Sequence, residues 1–301
     1  MYRIDFHADD YAASPDNSRR ILELLLAGKV DSISILPNMG CYEECMKMLR
    51  ENWERFPKKP LLSVHLNLID GYWLSSGKSK RCIRNSWERL FLYSLVPGPK
   101  RKQLKLSYSR ELAEQLSRIR RDTKDLKDDE QRPVAFRIDS HVHTHMIPLV
   151  FEALEEALAQ TQLRAGTSFI RCSTEPLAMF LFTPGIAGTI RPLNLVKNIV
   201  LHVLSHGIRN KLEKEGIQTG RIFGVAMTGR MDSRRVGLLM NKMRKYARKK
   251  DAHLEILCHP GRVSDNEKCE EYGPDDTVAF VSDDRDLEYE MLMELAGGKE
   301  S

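Results

Sequence analysis

Two adjacent carboxylates, Asp9 and Asp10, close the opening run Tyr2-Arg3-Ile4-Asp5-Phe6-His7-Ala8-Asp9-Asp10-Tyr11. Side chains alternate across the pleat of a strand, so this pair can divide its work, one carboxylate binding a cation and the other handling a proton. Taken alone, such a pair starts turns and caps helices just as readily. Three histidines change that reading. His65, His141 and His259 each stand at or near the end of another predicted strand. One carboxylate oxygen with two imidazoles suits a divalent transition ion with water completing its shell. Each histidine singly reads as a core residue; for the whole set that reading needs repeated coincidence.

Short strands alternating with helices must position these groups. Strands are expected over residues 2–11, 30–38, 61–68, 134–139, 168–172, 221–227 and 254–258. Ser14-Pro15-Asp16 places an N-cap before a proline suited to the first helical position, and the helix it starts ends by Gly28. Further helices are expected over 42–51, from Pro148 with Phe151, Leu154 and Leu158 at core spacing, and over 192–215, 233–249 and 287–295. In 61–68 the alternation is clean, with Ser63, His65 and Asn67 on one face and Leu62, Val64, Leu66 and Leu68 on the other. Strands and helices in alternation argue for an α/β fold, a parallel sheet or a TIM-barrel-like (β/α) barrel, in which functional groups gather at the carboxyl ends of the strands. Residues 71–132 are too long for an ordinary connection. With Gly71, Gly77, Pro97, Gly98 and Pro99 as punctuation and a helix over 109–126, this stretch reads as an insertion or lid on a single domain spanning 1–301.

Composition bounds the rest. The chain has 301 residues, 42% hydrophobic, with a formal charge of +5. No run of about 18 apolar residues exists to span a membrane. The carboxylate pair lies too near the start to leave room for a signal peptide, so a cytoplasmic protein is expected. Six cysteines show no C-x-x-C spacing and read as free thiols, with Cys258 beside His259 flagged as a possible inhibitory thiol. Residues 78–132 carry 16 Lys/Arg against 8 Asp/Glu. That excess lacks the interleaved exposed aromatics of a single-strand binder and reads as the solvated face of helices, with no nucleic-acid partner. His202 and His206 have a metal-capable spacing, but no glutamate follows His202 and the pair reads as helix surface.

The ordered segments Ala8-Asp9-Asp10-Tyr11, His65-Leu66-Asn67-Leu68, Asp139-Ser140-His141-Val142-His143 and Cys258-His259-Pro260-Gly261 resemble those of the YdjC-like carbohydrate deacetylases, which include chito-oligosaccharide deacetylases. The resemblance implies a TIM-barrel-like fold, a divalent metal (magnesium or zinc), hydrolysis of the acetamide of N-acetylated sugars, and a homodimer. It also implies roles: Asp9 as proton acceptor, Asp10, His65 and His141 as metal ligands, His259 as general acid, and Arg171 near the substrate. Asp139, His143 and Asn67 become supporting residues. Trp73 reads from its residue type either as a surface for a sugar face or as a tryptophan that covers the surface. The chain departs from the family pattern at His7, at Ile69, and in the loop Asp70-Gly71-Tyr72-Trp73. Two other readings stand beside it: a metal-dependent phosphoesterase on a similar barrel, and a catalytically idle barrel that binds a sugar or a protein.

Overall fold

The structure is a computed structural model that describes residues 3–77, 79–186, 188 and 190–295. Tyr2 and Lys78, the first residues of the predicted opening strand and of the basic stretch, lie outside the described residues. Seven parallel strands close into a barrel in sequence order: β1 (Arg3–Tyr11), β2 (Ser32–Ile35), β3 (Leu61–Leu66), β4 (Phe136–Ser140), β5 (Thr167–Arg171), β6 (Gln218–Phe223) and β7 (His253–Cys258), with β7 pairing back on β1. The predicted α/β, TIM-barrel-like class is the observed one.

Helices wrap this barrel: α1 (Pro15–Leu26), α2 (Tyr42–Asn52), α3 (Trp87–Leu95), α4 (Pro99–Thr123), α5 (Pro148–Gln160), α6 (Leu177–Leu181), α7 (Pro192–Lys214), α8 (Ser233–Lys250), α9 (Pro274–Phe280) and α10 (Asp284–Leu295). Ser14 caps α1 as expected, its side chain accepting from the Asn17 N–H. The helix expected from 109 begins instead at Pro99, because Gly98-Pro99 is a helix start with proline in the first turn and not a break. Between β3 and β4, α4 packs along α5 and against β3. Residues 71–77 and 79–84 fold back on one another, Ile83 N donating to the Gly71 carbonyl, and Arg84 reaches the Glu271 carbonyl at 3.0 Å. His202 and His206 lie exposed on α7, as predicted. No helix among the described residues is long and apolar enough to cross a membrane.

Strand alternation decides what fills the barrel. Ile33, Ile35, Leu62, Val64, Ile138, Ile170, Leu254 and Ile256 join the hydrophobic core beneath the helices. Between them stand His7, Asp9, Ser32, Ser34, His65, Arg137, Asp139, Arg171 and Glu255, which bond to one another across the interior. Barrel interiors are ordinarily packed with branched apolar side chains. Here the middle is polar and the apolar surface is on the outside, covered by helices.

Lower in the barrel the ring of Phe169 lies under the Arg137 guanidinium at 4.2 Å and against His253 at 5.2 Å. It fits because the facing residue is Gly220: a Cβ there would come within 2.6 Å of the ring. Gly220→Ala is therefore expected to lower unfolding free energy in denaturant by about 1–3 kcal/mol through overpacking; an unchanged midpoint would contradict this account of the Phe169–Gly220 contact.

Candidate active site

The carboxyl ends of four strands converge. From β1, Asp9 and Asp10 are both buried, and His65 Nε2 lies 3.3 Å from Asp10 Oδ1 and 3.9 Å from Asp9 Oδ2. Simple pleating would have sent the two carboxylates to opposite faces. They turn toward one centre because the strand pairing slips between Ala8 and Tyr11 and Asp10 takes φ 66°, a left-handed conformation that Asp tolerates better than most residues.

His141 follows β4 directly, its Nδ1 3.0 Å from Asp10 Oδ1. The chain then passes through two left-handed residues, Val142 (φ 43°) and His143 (φ 57°), a costly conformation for a β-branched valine. This turn lets His145 reach back, Nε2 lying 2.7 Å from the Arg171 carbonyl. His143 is half-buried and its Nδ1 has no hydrogen-bond partner. Burial and the nearby Arg171 charge hold its pKa well below the ordinary imidazole range.

Asp10, His65 and His141 place one ligand atom each within 4.8 Å of one another, and all three are buried. His65 Nδ1 is 2.6 Å from Asp139 Oδ1, the carboxylate–imidazole pairing that fixes a ligating ring and leaves Nε2 facing the centre. This donor set fits a divalent ion. A second group, His7, Asp9 and Asp139, is as tightly clustered. It already has its cation: Arg171 Nη1 lies 3.1 Å from both Asp9 oxygens and Nη2 3.0 Å from Asp139 Oδ2.

Electrostatics follow from these contacts. Burial alone would raise the Asp9 carboxyl, but Arg171, His65 and His7 more than reverse that and hold it well below the usual range. Asp10 is likewise raised by burial and carried well below normal by Arg285 and His141. Burial works against a charge on His65, yet Asp9, Asp10 and Asp139 lift its pKa to about 9. His259, just beyond β7, is half-buried, its Nε2 4.0 Å from Asp9 Oδ2 and its Nδ1 3.7 Å from Glu288 Oε2. Its neighbour Cys258 is buried with its thiol pushed well above normal by that burial, which disfavours a reactive thiolate.

The structure thus brings together Asp9, Asp10, His65, Asp139, His141, Arg171 and His259. Asn67 turns to its own loop, bonding Asp70 and accepting from the Ile69 N–H. Trp73 stacks on Tyr108 with ring centroids 6.2 Å apart. Sequence reasoning missed Arg137 and Glu255, which link the Arg171 cluster to the barrel interior. It also missed Arg285, 2.6 Å from Asp10 Oδ2, and Glu288, which accepts from the His259 N–H at 2.6 Å. A legible signal existed for each: single charges inside the apolar runs Phe136–Ile138 and Leu254–Leu257, and an i, i+3 Arg/Glu pair on the last helix.

His65 gives a pH signature. Its folded pKa of about 9 exceeds the ordinary 6.5, so its stabilising contribution is fully present below pH 6.5 and is lost as pH rises through about 9. Chemical denaturation of the metal-free protein is expected to show stability falling across that window, and His65→Gln to flatten the fall. A wild-type curve already flat there would contradict the assignment.

A solved structure shares this fold. A crystal structure of an Enterococcus faecalis V583 protein described as a "putative cellobiose-phosphate cleavage protein" superposes with a TM-score of 0.56 at 16% identity, covering 97% of this chain and 90% of that one. A Cellulomonas fimi endo-beta-1,4-mannanase double mutant aligns at 12% identity over 94% of this chain and 71% of its own, with a TM-score of 0.39. No curated protein matches the chain. The family model for YdjC-like proteins matches residues 3–296, nearly the whole length, and the chain belongs to that YdjC-like family.

Proposed function

We propose that the protein is a metal-dependent carbohydrate hydrolase that removes the acetyl group from an N-acetylated sugar of the chito-oligosaccharide kind. One observation carries the reading: a buried Asp–His–His donor set stands beside a second buried carboxylate and a half-buried imidazole at the carboxyl end of a closed barrel. Asp10, His65 and His141 hold the divalent ion, magnesium or zinc. That ion supplies Lewis acidity toward a carbonyl oxygen and acidifies a water.

Asp9 takes a proton from the attacking water. Pinned low by Arg171, it is ionised throughout the working pH range, and so accepts a proton only from a donor that is itself acidic. Arg171 and His7 orient it, the guanidinium gripping both oxygens and His7 Nε2 lying 2.9 Å from Oδ1. Water oxygen bonds to the acetamide carbon, and the C–N bond breaks. His259, which retains solvent access, gives a proton to the departing amine, and acetate and a free amino sugar leave. Arg171 is fully buried, so its part is to hold carboxylates and not to touch sugar. A homodimer and a cytoplasmic setting belong to the same reading.

Purified protein supplied with a divalent metal is expected to release acetate from N-acetylglucosamine oligomers. Asp9→Asn is expected to lower that rate by about 10²–10⁴-fold while leaving bound metal unchanged. Release of phosphate from sugar phosphates, with no acetate from any acetylated sugar, would transfer the site to the phosphoesterase reading. Stripping the ion with a chelator should abolish turnover, and re-adding it should restore turnover; activity that survives removal would sink the metal assignment.

A further inference from the structure

One segment near the end of the chain touches three residues of the centre. Phe280 stacks against His141, ring centroids 5.8 Å apart. Arg285 Nη2 lies 2.6 Å from Asp10 Oδ2. Glu288, one turn further along α10, accepts from the backbone N–H groups of His259 and Gly229. The candidate site is therefore built by four strand ends and closed by α10.

We propose that Arg285 is a positioning residue of the metal centre: by occupying Oδ2 of Asp10 it leaves Oδ1 alone to face His65 and His141, which makes Asp10 a one-oxygen ligand. The proposal rests on the metal reading above. Oδ1 is the oxygen 3.0 Å from His141 Nδ1 and 3.3 Å from His65 Nε2, while Oδ2 is the one the guanidinium holds.

The guanidinium is itself fixed at several points. Its Nε donates to the Ala279 carbonyl at 3.0 Å, and its plane lies 4.8 Å from the Phe280 ring centroid. Arg285 is 5% exposed, so it has no room to swing away from Asp10. Nη1 is buried without a hydrogen-bond partner, an unmade bond that carries a desolvation cost. An arginine placed only to hold α10 would be expected to satisfy that donor. Here the fork is aimed instead at a single carboxylate oxygen, and a planar, multiply anchored group does this where a lysine ammonium, a point charge on a flexible stem, would not. Partners of this kind orient metal ligands as much as the ligands orient the ion.

Visible absorption of cobalt(II) added to the metal-free full-length protein tests the proposal, because the bands of this ion weaken as its coordination number rises. Wild type is expected to give the intense spectrum of a low-coordinate site. In Arg285→Met both oxygens of Asp10 become free to bind, and the bands are expected to lose intensity and shift, with thermal unfolding confirming that the variant is folded. Arg285→Gln, which keeps a polar group but not the charge, decides the matter should the methionine variant not fold. Tyr289→Phe, on the same helix but bonded to Glu23, is expected to retain the wild-type spectrum. A wild-type spectrum in the folded Arg285 variant would overturn the proposal while leaving the metal reading intact. Failure of the wild-type protein to bind cobalt would overturn the metal reading first, and the proposal with it.

Discussion

A guanidinium sealed inside a closed barrel is the constraint on which the site depends. Arg171 has no exposed surface, and a buried cation of that size is tolerated only when its charge is matched. Three carboxylates on three strands meet it: Asp9 on β1, Asp139 on β4 and Glu255 on β7. Each then has a fixed orientation and passes it on. Asp139 orients the ring of His65, Glu255 ties in Arg137, and Asp9 is turned toward the centre with His7 at its side. The alignment of the candidate metal ligands is thus partly inherited from an ion-pair cluster beneath them.

That cluster also explains why the fold closes with polar residues inside. Strands of period two must face one set of side chains inward, and the outward set here is already committed to the helices by Ile33, Val64, Ile138 and Leu254. A register slip of one residue would bury the branched residues in the barrel and expose the charges to the helix layer. The charge network and the apolar coat therefore select the same register, and agreement of that kind between levels is what gives a sequence one structure.

Much of this was legible in the sequence because it depends on local pattern. Alternation at 61–68, the apolar run ending in His259 and the Ser14-Pro15 cap all act within a few residues, and each marks a strand end or helix start that the structure retains. What was hidden depends on contacts far apart in the chain. The meeting of Arg171 with Glu255 spans 84 residues, and that of Arg285 with Asp10 spans 275. Nor does pattern reveal the left-handed Asp10 and the slipped pairing beside it, since Asp in that position is permitted and not required. Trp73 shows the same limit: its place beside the motif loop is legible in the sequence, but its stacking on Tyr108 is not.

The two sides of the centre are held by different means, and this bears on how a substrate could enter. Toward the barrel, Arg171 and the strands fix Asp9 and His65 through charges with almost no solvent access, so no movement is available there without unpairing buried ions. Toward the C-terminal segment the contacts include a stacked ring, the Arg285–Asp10 ion pair, the approach of His259 to Glu288, and two backbone N–H groups received by Glu288. His259, which keeps solvent access, lies on that second side. Under the proposed function, a ligand would meet His259 and the residues that α10 positions on the more exposed side, with the deep side of the site already set by buried ion pairs.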